Sequence, residues 1–102
     1  MRYHKLVRDK IPEIIAASGK KCAVRILPDE EYLEKLDAKL QEELNEYQES
    51  KSMEEIADLL EVIHGVIQAR GSSLAEVEKI RIEKAQKRGG FEKKILLESV
   101  DE

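Results

Sequence analysis

Lys39–Glu61 reads KLQEELNEYQESKSMEEIADLLE, and the fold turns on how this stretch is broken. Ahead of the break, Leu33, Leu36, Leu40, Leu44 and Tyr47 fall within a narrow arc at about 100° per residue. Beyond it, Ile56, Leu59, Leu60, Ile63 and Ile67 form a second, wider stripe. Ser52 with Glu55 has the S-x-x-E form of a capping box. The stretch therefore predicts two helices, Glu30 to Glu49 and Ser52 to near Gly71, folded back on each other at Ser50–Ser52.

That fold-back has a chemical consequence. Glu43 and Glu46 are three apart on the first helix, as are Glu55 and Asp58 on the second, so each pair shares a face. Folding about the turn sets Glu46 opposite Glu55 and Glu43 opposite Asp58. Glu43 sits roughly 60° to one side of the apolar stripe and Glu46 roughly 120° on the same side, so the acids border the packing seam. Two facing acidic rungs, with no cation supplied by the chain between them, are costly unless a metal neutralises them. Oxygen-only ligands suit Mg²⁺, with Mn²⁺ as the alternative, and not zinc. The plainer explanation is that glutamate is a good helix former on any solvated face, with Glu55 serving only as a capping partner.

Outside the hairpin the chain is modest. Asp9 is expected to cap a short helix with Pro12 in its first turn and Gly19 at its end. Residues 22–27 (CAVRIL) and 94–100 (KILLESV) read as two short strands that pair into a small antiparallel β-element, or as arms that contact another subunit. Ser73 and Glu76 repeat the capping-box form for a last helix that ends at Gly89-Gly90. The expected fold is mainly α: one domain over 1–102 with a minor β addition.

Composition narrows the function classes. A net charge of −4 in 102 residues disfavours a nucleic-acid polymer as partner. One cysteine, Cys22, excludes an internal disulfide and a multi-cysteine zinc site, and it is expected to be a small buried residue. No apolar run approaches a membrane span, and MRYHKLVRDK lacks a signal-peptide core, so the cytoplasm is the expected compartment. Charged residues are 39% and aromatics 4%, so the apolar supply is thin. A homodimer or homotetramer, with two hairpins completing a four-helix core, is expected. His64 lies beside the apolar stripe and reads as a packed or interface residue. Tyr3, Tyr32, Tyr47 and Phe91 are the rings available to stack on a base.

Glu42-Glu43-x-x-Glu46 followed by Glu55-x-x-Asp58 resembles the signature of the MazG-like all-α nucleotide pyrophosphohydrolases. KLVRDKIPEII at Lys5–Ile15 resembles the opening of the small MazG-like and phosphoribosyl-ATP pyrophosphohydrolase-like members, and KAQKRGGF at Lys84–Phe91 their closing basic-glycine segment. The turn departs from the pattern, being shorter between Glu46 and Glu55 than in many members. The resemblance implies that Glu43, Glu46, Glu55 and Asp58 bind magnesium and that Glu42 is the catalytic base. It further implies phosphate contacts from Lys51, Lys84 and Arg88. The last two also suit a helix's last turn on dipole grounds alone. Lys5, Arg8 and Lys10 read either as a second phosphate clamp or, preferably, as structural charges, with Arg8 paired to Asp9.

The activity so implied is Mg²⁺-dependent hydrolysis of an NTP or dNTP to the monophosphate and pyrophosphate, as nucleotide-pool house-cleaning. Hydrolysis of phosphoribosyl-ATP in histidine biosynthesis is the enzymatic alternative. A non-enzymatic helical interaction or regulatory module, its acidic ridge meeting a basic partner, is the alternative of another class.

Overall fold

The computed structural model describes residues 4–101, and Tyr3 lies outside them. In chain order the helices are α1 (Ile11–Ala17), α2 (Asp29–Ser50), α3 (Met53–Ala69) and α4 (Leu74–Arg88). The long helices match the apolar periodicities to within a residue or two at each end. α2 and α3 pack along their length as a hairpin, α4 touches α3 lightly, and no other helix pair is in contact among the described residues.

The turn is made by three residues with distinct jobs. Lys51 adopts the left-handed conformation at φ 58°, and its N–H donates to the Tyr47 carbonyl at 2.7 Å, ending α2. Ser52 then caps α3 by accepting from the Glu55 N–H at 3.3 Å. The reciprocal half of the capping box is absent. The Ser52 N–H donates instead to Ser50 Oγ at 3.2 Å, so the Glu55 carboxylate is not drawn into the cap. At the far end of the hairpin, Gly65 brings α3 close to α2. A Cβ there would lie 3.2 Å from Leu36 Cδ2. The small side of one helix thus receives the large residue of the other, and Leu36 is 4% exposed. Arg70, the C-cap of α3, reaches Asp37 on α2 at 3.4 Å.

Three expectations fail, and a fourth, for His64, keeps only its interface alternative. The two-strand element of 22–27 and 94–100 does not form, and no strand occurs among the described residues. Arg25 is tied by a forked ion pair to Glu31 in the first turn of α2, which holds the first segment beside its own helix. Lys94 enters the second segment at φ 60°, a left-handed residue that breaks an extended run at its start. Two unsupported strands are marginal in water in any case. Asp9 is not the cap of α1; Lys10 occupies that position without a side-chain bond, and Pro12 lies in the first turn as expected. Cys22 is exposed, because the strand that would have buried it is absent. His64 is exposed too, and so is not packed within the chain.

The apolar core is small. Leu36 and Ile67 are the buried apolar side chains among the described residues, while Leu60, Leu74 and Ile80 are each about half exposed. The radius of gyration is 18.3 Å, against about 13 Å for a compact chain of this length.

Candidate metal centre

Both helices of the hairpin carry acids to one place. Glu42, Glu43 and Glu46 of α2 each offer a carboxylate oxygen within 4.8 Å of the others, and Glu43, Glu55 and Asp58 do the same across the seam. Glu43 belongs to both groups, so the five acids make one continuous patch pivoting on it. The seam position explains this: Glu43 borders the apolar stripe, and packing α3 against α2 covers it to 6% exposure.

Counter-charge reaches the patch from its edges and meets only one oxygen of Glu43. Lys39 lies 3.5 Å from Glu43 Oε1 and 3.3 Å from Glu42 Oε2. Lys5 donates to Glu42 Oε1 at 3.0 Å. Arg8 donates to Asp58 Oδ1 at 2.6 Å and approaches Glu61 at 3.9 Å. The expectation that the chain supplies no cation is thus corrected: three cations ring the acids, and two come from the extended segment before α1. Arg8 is paired as a structural charge would be, but with Asp58 and Glu61 instead of Asp9. Inside the ring, Glu43 Oε2 and Glu55 Oε2 are sealed from solvent and have no hydrogen-bond partner.

Protonation follows this division. Burial, and then the neighbouring Glu46 carboxylate, raise the Glu43 carboxyl above its ordinary value. The same two causes in the same order push Glu55 up to about 7. Glu42 moves the other way, held below the usual range first by its hydrogen bond from Lys5 and further by Lys39. Two carboxyl groups that resist ionising beside one that ionises readily form an inner pair and an outer acceptor.

The donor set fits a hard divalent cation. It is all oxygen, drawn from two rigid helices, and contains orphaned buried oxygens that a cation would satisfy. The remaining candidates are not gathered here. Lys51 Nζ stands 5.5 Å over the Tyr47 ring. Lys84 and Arg88 are exposed on α4, which makes no contact with α2, and neither is hydrogen-bonded or ion-paired to the acids. Lys5 and Arg8, which the residue pattern left between two roles, are instead in direct contact with them.

No helix among the described residues is long and apolar enough to cross a membrane. No protein-family model matches the chain, and no solved structure does. A protein of Mycolicibacterium smegmatis bearing the name "Uncharacterized protein" is 58% identical over 41 residues, which are 40% of this chain. The match spans 42% of that relative's length, and its name assigns no activity.

Proposed function

We propose that the chain is a MazG-like, Mg²⁺-dependent nucleotide pyrophosphohydrolase of the cytoplasm, cleaving an NTP or dNTP to the monophosphate and pyrophosphate. The observation that carries this reading is the buried Glu43 carboxylate, with one oxygen unpartnered, packed among Glu55 and Asp58 from the facing helix. A surface ridge that met a basic partner would have no need to bury an acid with one oxygen left without a hydrogen bond.

In this reading Glu43, Glu46, Glu55 and Asp58 hold Mg²⁺, or Mn²⁺. When bound, such an ion supplies charge neutralisation and Lewis acidity toward a phosphoanhydride. Glu42 stays outside the inner pair and remains ionised at neutral pH. Its depressed pKa makes it a weak proton acceptor, so its main work is to orient the attacking water. Lys51, Lys84 and Arg88 supply phosphate contacts, the last two from a helix that touches α3 alone.

Incubation with a panel of nucleotides and Mg²⁺ is expected to release pyrophosphate. Glu46→Gln and Asp58→Asn should each lower turnover by about 10–100-fold or more. Silence on every nucleotide, or variants as active as the parent, would refute the enzymatic reading.

The working unit is proposed to be a homodimer or homotetramer. An expanded chain with two buried apolar side chains among its described residues and half-exposed leucines and isoleucines on α3 and α4 is covered by a second hairpin of the same kind. Light scattering at micromolar concentration is expected to give at least twice the chain mass; a monomer there would count against the assembly.

A further inference from the structure

We infer that Lys5 and Arg8 are exchangeable cations: they occupy the carboxylate patch in the metal-free protein, and on metal loading they transfer to the phosphates of the substrate. The inference rests on the metal reading above and deepens it.

The segment before α1 places its two charges on different helices. Lys5 takes Glu42 of α2, and Arg8 takes Asp58 and Glu61 of α3. It straddles the patch that holds the unpartnered Glu43 and Glu55 oxygens. Arg8 sits 2.6 Å from an oxygen of Asp58, itself one of the three acids whose oxygens converge across the seam. A divalent ion needs carboxylate oxygens at about 2.0–2.1 Å, and a guanidinium on the same carboxylate competes for the lone pairs and repels the incoming charge. The Arg8 contact is a surface one. Arg8 and Asp58 are both roughly half exposed, and beyond the ion pairs Lys35 reaches the His4 carbonyl at 3.4 Å. Half-exposed pairs of this kind yield readily to a competitor.

Exchange leaves Lys5 and Arg8 beside a metal-filled site, three residues apart on one extended segment. A polyphosphate approaching that site carries oxygens to spare, and arginine pairs with phosphate in a forked, charge-assisted geometry. The ligand class is therefore a metal-chelated polyphosphate, and these two residues form the second wall of its site.

The signature is a change of sign. Titration calorimetry of the full chain with Mn²⁺ alone should show tighter binding to Arg8→Met than to the parent, by about two- to fivefold, as loss of a half-exposed competing pair allows. Inorganic triphosphate titrated into the Mn²⁺-saturated protein should bind Arg8→Met more weakly, by about threefold or more. Arg8→Lys, which keeps the charge, should shift both in the same directions by less. An Mn²⁺ affinity unchanged or weakened in Arg8→Met would overturn the competition, and an unchanged triphosphate affinity would overturn the transfer. Failure of the parent to bind Mn²⁺ at all would overturn the metal centre itself, a result distinct from either.

Discussion

Glu43→Gln is expected to stabilise the metal-free fold while abolishing divalent-ion binding and turnover. Glutamine keeps the shape of the buried side chain and removes a charge that has one oxygen unpartnered. Lys39 is not orphaned by the change, since Glu42 remains 3.3 Å away. Removing a buried acid that only Lys39 partners, with one oxygen unpartnered, should add about 1 kcal/mol, or about 4–8 °C in the midpoint of melting. Loss of the ligand shared by both acidic groups should cost more than the roughly 10–100-fold that loss of a supporting partner costs.

The same variant has a pH signature. Glu43 and Glu55 are raised in the folded state, so the native protein holds protons that the unfolded chain has released. Their contribution to stability is complete below the ordinary carboxylate range and is lost as pH rises through about 7. Metal-free parent protein should thus melt at a lower temperature near pH 8 than near pH 5.5. Mg²⁺ should reverse that slope, because it binds the deprotonated acids. Glu43→Gln should flatten the slope and show no response to Mg²⁺. A variant that melts lower than the parent, or binds Mg²⁺ unchanged, would contradict the assignment.

Leu36→Ala should bring the chain close to unfolding. Leu36 is one of two buried apolar side chains among the described residues, and the close approach at Gly65 is built around it. Truncating such a residue costs about 2–5 kcal/mol, comparable with the roughly 5–15 kcal/mol that holds a domain folded. A fall of about 10 °C or more in the melting midpoint by circular dichroism is expected. Leu60→Ala is the informative contrast. With Leu60 51% exposed, its truncation should leave the hairpin folded and weaken only association between chains. Equal loss from both positions would mean that the core is not where Leu36 and Gly65 meet.

The helices were legible because their signals are local. Ser52 and Ser73 cap, Gly71 and Gly89 terminate with positive φ, and the apolar residues keep helical spacing between them. The convergence of Glu43, Glu55 and Asp58 was legible as well, because a short turn leaves little freedom in how two helices align. What escaped was non-local or dependent on a partner. CAVRIL has the composition of a strand, but a strand needs a neighbour, and Arg25 is taken by Glu31 instead. The contacts of Lys5 and Arg8 span 37 and 50 residues from an extended segment, where no periodicity signals which acids will be met.

The half-formed capping box has a last consequence. The Glu55 main-chain N–H is engaged by Ser52 and its carboxylate is not, so one residue serves the helix start and the acid patch through different atoms. The acid-bearing turn is therefore preorganised: its backbone is fixed by serine and lysine before any cation arrives. Ordering entropy that a flexible loop would surrender on binding has already been spent in folding. Loading the centre should then behave as a rearrangement of charges over a rigid frame, with the helix ends unmoved.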